Sequence, residues 1–163
     1  NGPPNSTYMT ANNAAANRDF MNMLLSQLSN LGDPKDPWLN MSDITSRAFL
    51  WIGGKDTFTP LHHDMTQNGF VQISGRKRWF LAPPRETLRL YNHNHVFSRV
   101  DPRHVDEEKH PLATKVKWME VTLEPGDFLF IPQGWWHCVE GMEENVSVSF
   151  TCWNSSIKHH QGS

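Results

Sequence analysis

Cysteine is scarce in this chain, and so is any excess of charge of one sign. The 163 residues include two cysteines, Cys138 and Cys152, which are too few for a disulfide framework and fit a reducing compartment. The formal net charge is -2, so no basic surface indicates nucleic acid as a partner. We therefore expect an intracellular, cytoplasmic protein with free thiols and no nucleic-acid ligand.

Long apolar runs are also missing. No stretch of about 18 apolar residues occurs, so we expect no membrane span. The first five residues are neither basic nor apolar, so we expect no signal peptide. The length suits a single domain over residues 1–163, with a core at about 46–154 and an N-terminal helical segment at about 8–45.

Aromatic residues, in contrast, are plentiful, with seven Trp and nine Phe, and they suit half-buried pleated sheets. We predict short strands at 48–53, 59–64, 69–74, 76–82, 118–123, 128–131, 137–140 and 145–153. Such a series favours an all-β barrel or sandwich. The turn at 124–127 and the segment 131–137 are typical of the second half of a double-stranded β-helix, or jelly roll.

Other segments carry different patterns. Apolar residues recur at helical spacing at Phe20, Leu24, Leu28 and Leu31. They predict an amphipathic N-terminal helix over 17–31. The dipeptide at 74–75 (SG) predicts a tight hairpin between its neighbouring strands. Residues 91–115 are polar and predict a long surface excursion, and loops of this length are commonly functional.

Two distant segments, 59–64 (TPLHHD) and 132–137 (PQGWWH), contain residues that ligate metals. Side chains alternate along a strand, so His62 and Asp64 would share a face. A later strand could add His137 to them. Two imidazoles and one carboxylate leave three positions open on an octahedral Fe(II), as in non-haem iron oxygenases. By themselves, the first two residues could equally be a surface His–Asp pair.

Lys77 stands between two arginines on a predicted strand, so it would face away from both. A lysine pointing into a barrel could hold an anion, because a buried carboxylate without a partner is very costly. The alternative is ordinary solvated charge. A second histidine pair, His93 and His95, could rival the first as a metal site. No third ligand follows it in a strand, so we expect a loop there.

In this order, the motifs resemble the cupin-like JmjC family of Fe(II)- and 2-oxoglutarate-dependent hydroxylases. The resemblance runs from about Tyr8 to Trp153. Its motifs lie at 51–53, 59–64, 67–68, 75–78, 83–84, 125–127 and 131–137. The resemblance implies an all-β jelly roll with an N-terminal helix.

For the metal site, the resemblance implies Fe(II) held by His62, Asp64 and His137. It implies 2-oxoglutarate, which would chelate the iron through its C1 carboxylate and keto oxygen, and dioxygen as cosubstrates. The implied reaction hydroxylates a C–H bond and converts 2-oxoglutarate to succinate and carbon dioxide.

For the rest of the pocket, the resemblance implies that Lys77 holds the distal carboxylate of 2-oxoglutarate, helped by the hydroxyls of Thr59 and Tyr8. Asn68 matches a position that contacts the cosubstrate or the surroundings of the metal. Trp153 matches an aromatic residue that lines the pocket.

The substrate is less well defined. The resemblance places Thr151 in the substrate pocket, at a position where an asparaginyl hydroxylase of the family has an Asn near the cosubstrate. The resemblance favours a protein or peptide side chain as substrate and leaves a homodimer open. Three alternatives remain: a non-catalytic metal-binding cupin module, an oxygenase of small molecules, and another cupin chemistry such as a metal-dependent isomerase.

Overall fold

Two antiparallel sheets make up most of the protein, which is described from a computed structural model. The structure describes residues 5, 7–12, 18–26, 32–33, 36–37, 39–40 and 44–153. The predicted all-β architecture is confirmed, and the predicted strands agree with the observed ones to within one or two residues except at the end of the last strand.

The first sheet contains β1 (Met9–Asn12), β4 (Ala48–Gly53), β6 (Asn68–Ser74), β11 (Phe128–Ile131) and β13 (Asn145–Phe150). Its strand order is β1-β4-β13-β6-β11. The second sheet contains β5 (Phe58–His63), β7 (Lys77–Ala82), β8 (Asn92–His93), β9 (Phe97–Ser98), β10 (Met119–Leu123) and β12 (Trp136–Gly141). Its strand order is β10-β7-β12-β5-β9-β8.

The remaining elements are short. They are the two-residue strands β2 (Gly32–Asp33) and β3 (Asp36–Pro37), the helices α1 (Arg18–Ser26) and α2 (Ile44–Arg47), and the 3₁₀ helices Pro84–Arg89 and Ala113–Lys115. No helix among the residues described is both long and apolar enough to cross a bilayer.

Apolar side chains cover both faces of each sheet, which explains why several strands are apolar throughout. Between the sheets lie Phe70, Trp79, Leu81, Leu123, Ile131 and Val139. Behind the first sheet, Val148 and Phe150 pack with Met21 of α1 and with Leu39. Behind the second sheet, Trp136 packs with Leu90 and Val100. The interior between the sheets therefore does not have to supply the whole hydrophobic core.

The excursion at 91–115 forms the outer cover of the second sheet. Val100 and Ala113 are buried against that sheet. Arg103 forms ion pairs with Asp101 and Glu140, and its guanidinium lies 3.6 Å from the centre of the Phe58 ring. The segment is thus held to the barrel by packing, charge and the pairing of β9 with β5.

Two details of the sequence prediction are wrong. The helix α1 is described over Arg18–Ser26, and there Met21 is buried, 3% exposed, whereas Phe20, predicted to face the core, is 41% exposed. Met21 rather than Phe20 therefore packs against the core; Leu28, Leu31 and the predicted end of the helix lie outside the described residues. The turn at 74–75 makes no hairpin, because β6 and β7 belong to different sheets. It carries the chain from one sheet to the other.

Two glycines with positive φ offer a test of the turns. Gly75 has φ +64°, and a Cβ there would clash with the backbone oxygen of Glu144, whereas at Gly126, with φ +96°, a Cβ would meet nothing within 4 Å. We expect Gly126→Ala to cost about 1–2 kcal/mol, the strain of the left-handed region. Gly75→Ala should cost clearly more, because the backbone must also move. Urea unfolding measures both, and equal losses would contradict the clash at Gly75.

Candidate metal centre and its cavity

A cavity of about 380 Å³ lies between the two sheets. Its lining, drawn from both sheets, is Tyr8, Ala11, Phe49, Trp51, Thr59, His62, Asp64, Thr66, Asn68, Phe70, Lys77, Trp79, His137, Val139, Ser149 and Thr151. The structure therefore brings together eight of the nine predicted site residues, the exception being Trp153.

An extra residue in β5 decides which side chains enter this cavity. On β12, His137 pairs with His62 and Val139 pairs with Thr59. These pairs are two residues apart on β12 but three residues apart on β5, so β5 contains one extra residue there. Residues three apart on a regular strand face opposite ways, yet Thr59 and His62 both line the cavity. A bulge of this kind redirects side chains, and Pro60 lies within it, where proline is tolerated in a sheet.

Asp64 lies just beyond the end of β5, rather than on the strand as predicted. The backbone N–H of Gly134 donates to its carbonyl oxygen at 2.9 Å. The side-chain amide of Asn68 donates a short hydrogen bond to its Oδ2. These two hydrogen bonds hold the backbone and the carboxylate of Asp64 toward the histidines. Strand alternation is therefore not what places this side chain.

The triad has the form of a three-ligand metal site. The Nε2 atoms of His62 and His137 lie 3.9 and 3.5 Å from the carboxylate oxygens of Asp64. Suitable donor atoms of all three residues lie within 4.8 Å of one another. This is the one such cluster of His, Cys, Asp or Glu found in the described part of the chain.

Hydrogen bonds fix the tautomers of both histidines. Nδ1 of His62 lies 2.8 Å from the carbonyl oxygen of Pro60, and Nδ1 of His137 lies 3.0 Å from that of Trp135. A carbonyl only accepts, so each Nδ1 carries the proton and each Nε2 keeps a lone pair for a metal. Burial, with the neighbouring His62, lowers the pKa of His137 to about 3, so this imidazole stays neutral.

Lys77 places a positive charge at another part of the same cavity. It is only 3% exposed, while its neighbours Arg76 and Arg78 point outward and pair with glutamates. Its Nζ donates to Ser147 Oγ at 2.7 Å, and no carboxylate among the described residues lies within ion-pair distance. Burial lowers the Lys77 pKa to about 8. A bound anion would supply the missing partner.

Further hydroxyl groups line the same cavity as this lysine. The hydroxyls of Tyr8 and Thr59 are hydrogen-bonded to each other at 2.9 Å, and either can turn its proton to a ligand. Nζ of Lys77 lies 5.8 Å from the centre of the Tyr8 ring and 5.9 Å from that of Trp51. Burial raises the Tyr8 pKa, which keeps this hydroxyl protonated as a donor.

Trp153 differs from its prediction. Its ring lies outside the cavity lining and packs against Phe128, Phe130 and Phe150. The strand β13 ends at Phe150, so the alternation that places Thr151 at the cavity no longer controls Trp153. It forms an isolated bridge with Leu39 instead.

Sequence reasoning missed Trp51, Ser147 and Ser149. Trp51 Nε1 donates to Ser149 Oγ at 2.8 Å, and Ser147 accepts from Lys77. The signal was present in β13 (NVSVSF), where Ser alternates with Val or Phe. Here the small polar residues face the interior, and the apolar ones face outward under the N-terminal segment.

The donor set fits the groups that the resemblance implies. Two neutral imidazoles and a carboxylate at one side of a cavity suit a divalent iron ion with open positions. A buried lysine without a carboxylate partner, in a cavity that hydroxyl groups also line, suits the far end of a dicarboxylate. His93 and His95 are exposed and belong to no metal-binding group of the described residues.

We expect one divalent ion such as Co²⁺ to bind per chain. Asp64→Ala or His137→Ala should weaken binding at least about tenfold, because each removes a donor that no neighbour replaces. Isothermal titration calorimetry measures this. His93→Ala is the matched control and should bind as the unmodified chain does. Equal weakening by the control, or none by the other two, would contradict the site.

Comparisons with known proteins agree with this geometry. The family model described as a cupin-like domain matches residues 2–159. Jumonji C domain-containing protein 5 of Drosophila melanogaster is 40% identical over 104 residues, 61% of this chain and 26% of that protein. Human HSPB1-associated protein 1 is 40% identical over 118 residues, 68% of this chain and 24% of that protein.

A third relative, an arginine-specific demethylase of Arabidopsis thaliana, is 29% identical over 144 residues, 84% of this chain and 30% of that protein. The chain thus spans about a quarter of the length of such relatives. The predicted family is confirmed by the match over nearly the whole chain. This chain belongs to the cupin-like domain family and, within it, to the JmjC proteins, which typically use Fe(II) and 2-oxoglutarate.

Proposed function

We propose that this chain is an Fe(II)- and 2-oxoglutarate-dependent dioxygenase that hydroxylates a C–H bond of a protein or peptide side chain. One observation carries the proposal. A His–Asp–His triad and a buried lysine without a carboxylate partner line the same cavity between the sheets.

The triad would hold the iron through Nε2 of His62, Nε2 of His137 and the carboxylate of Asp64. Asn68 keeps that carboxylate in place through its amide hydrogen bond. Three protein ligands leave positions open for a cosubstrate and dioxygen. When bound, these groups supply the oxidation, in which 2-oxoglutarate becomes succinate and carbon dioxide and the C–H bond becomes C–OH.

Lys77 would hold the distal carboxylate of 2-oxoglutarate. On β7, Leu81 pairs with His137, and Lys77 lies four residues further along the strand. Four residues correspond to about 13 Å of backbone. The lysine side chain and a bound five-carbon dicarboxylate can together span that distance. The Tyr8 and Thr59 hydroxyls would complete the hydrogen bonds to the carboxylate.

The two sheets would also keep bulk water away from the reacting centre. His137 is fully enclosed, and the Phe70 and Trp79 rings lie beside it. Enclosure strengthens electrostatic interactions and limits side reactions of the cosubstrate.

A protein substrate is supported by the relatives, because two of them are named as an arginine-specific and a lysine-specific demethylase. Hydroxylation is our proposal because the sequence motifs resemble the hydroxylase branch of the family. Formaldehyde release would instead indicate demethylation, because a hydroxylated N-methyl group breaks down to that product.

We expect 2-oxoglutarate to be consumed and succinate to form only with Fe(II) present, even before a substrate is known. Without oxygen, Fe(II) and 2-oxoglutarate together should give a weak visible absorption band that neither gives alone. Asp64→Ala should abolish both signals with little change in unfolding free energy, because the residue is half-exposed. A chain that binds iron but shows neither signal would favour the non-catalytic cupin module.

We expect Lys77→Ala to raise the Kd for 2-oxoglutarate at least about tenfold, while the Kd for the metal stays the same, because only the cosubstrate loses a charged partner. Quenching of tryptophan fluorescence measures both constants, since Trp51 and Trp79 line the cavity. Arg76→Ala, next on the chain but pointing outward, is the matched control. Equal effects of the two substitutions would contradict the clamp.

The same clamp should depend on pH. The Lys77 pKa of about 8 means that the empty cavity loses its positive charge as pH rises through about 8. Affinity for 2-oxoglutarate should therefore be greatest below pH 8 and fall above it, while Lys77→Ala should lose that dependence. A bound dicarboxylate raises the lysine pKa, so the fall should be gradual.

A further inference from the structure

A buried hydrogen bond links the two sheets across the interior. Nζ of Lys77, on β7 of the second sheet, donates at 2.7 Å to Oγ of Ser147, on β13 of the first sheet. Resting on the function proposed above, we propose that Ser147 is a positioning residue. It holds the Lys77 ammonium at one place in the cavity and thereby sets the length of the dicarboxylate that the site accepts.

The support that Ser147 offers is rigid. Its strand β13 lies inside the first sheet between β4 and β6, where Ser147 pairs with Trp51 on one side and Gln72 on the other. The Gln72 amide donates to the backbone carbonyl oxygens of residues 74 and 75, and Trp51 donates to Ser149. Ser147 itself is 1% exposed. Its hydroxyl is therefore held in place by the sheet around it.

The lysine side chain needs such a support. Its four-carbon stem is flexible, and packed sheets lie about 10 Å apart, so the stem has to cross much of the interior. The rings of Tyr8 and Trp51 have their centres 5.8 and 5.9 Å from Nζ. Rings at this distance attract a cation without fixing its position. The hydrogen bond to Ser147 is short and directional, and it supplies the missing constraint.

A fixed ammonium makes the site selective for length. The metal triad defines one end of the cosubstrate site and Nζ of Lys77 defines the other, in the same cavity. Ser147 is not among the described lining residues, so it acts through the lysine. An ammonium has three donors, and one donated to Ser147 leaves two for a carboxylate. A dicarboxylate one carbon too long cannot place both ends correctly.

The test compares three 2-oxo acids on protein loaded with Fe(II) in the absence of oxygen. They are 2-oxoglutarate, the six-carbon 2-oxoadipate, and 2-oxopentanoate, which lacks the distal carboxylate. Quenching of tryptophan fluorescence gives the Kd of each. We expect the unmodified chain to bind 2-oxoglutarate at least about tenfold more tightly than either of the others. No such preference, or no binding of 2-oxoglutarate, would overturn the proposal.

Two variants of the same shape isolate the hydroxyl. Ser147→Thr and Ser147→Val crowd the site equally, but only the first keeps a hydroxyl. Ser147→Thr should keep the preference for 2-oxoglutarate, whereas Ser147→Val should reduce it about threefold to tenfold, the range of one hydrogen bond. The Kd for Fe(II) should not change. Equal preference in the two variants would contradict a role for the hydroxyl.

Two alanine variants complete the set. Ser147→Ala adds no bulk and should lose as much of the preference as Ser147→Val, so the test holds even if added methyl groups prevent folding. Ser98→Ala is the matched control, because Ser98 is also buried but donates to the carbonyl oxygen of Leu90, outside the cavity. It should bind all three acids as the unmodified chain does.

The pH profile separates positioning from a general loss of packing. A hydrogen bond to an ammonium favours its charged form, so Ser147→Ala should lower the Lys77 pKa further below its present value of about 8. The preference for 2-oxoglutarate over 2-oxopentanoate should then be lost at lower pH than in the unmodified chain. Burial raises the pKa of the neighbouring Tyr8, which stays protonated in this range. Weaker binding with an unchanged pH profile would reduce Ser147 to a packing residue and overturn the proposal.

Binding without oxygen also separates this inference from the proposed function. Succinate formation tests the oxygenase chemistry alone. A chain that forms succinate but shows the same preference in Ser147→Thr and Ser147→Val keeps the function and loses the inference. A chain whose preference depends on the hydroxyl but that forms no succinate loses the function and keeps Ser147 as the residue that positions the lysine.

Discussion

The bulge in β5 is the constraint on which the candidate site depends. The extra residue opposite β12 turns Thr59 and His62 to the same side, so that hydroxyl and imidazole share one cavity. Without it, one of the two would face the outer layer and be separated from Lys77 or from His137. The bulge also places the Pro60 carbonyl where it fixes the His62 tautomer. One backbone irregularity thus sets both the position and the protonation of a metal-ligand candidate.

The second requirement is a polar interior in a protein that still needs a hydrophobic core. The chain meets it by moving apolar packing to the outer faces of the sheets. The N-terminal segment covers Val148 and Phe150, and the excursion covers Trp136. Ser147 and Ser149 can then face inward and bond Lys77 and Trp51 without loss of the core. The two covering segments are therefore part of what makes a buried ammonium tolerable.

Burial of the Lys77 ammonium destabilises the protein when no anion is bound, and the same burial lowers the pKa of this lysine. Burial without a carboxylate makes sense where a ligand brings the charge. Charged side chains are few in the rest of the lining as well, where Asp64 is the one acidic residue among those described. Metal and cosubstrate binding would then depend on two charged side chains in one cavity.

The sequence by itself determined the strands, the family and the ligand-type residues, because these depend on local alternation and on short motifs. The outward Arg76 and Arg78 and the inward Lys77 follow from alternation alone. Tertiary structure decided three features that side-chain alternation along a strand does not predict. They are the bulge at Pro60, the hydrogen bond that holds Asp64 beyond the end of its strand, and the crossing between the sheets at Gly75. It also placed Trp153 outside the cavity, since a strand's pattern ends where its hydrogen bonds end.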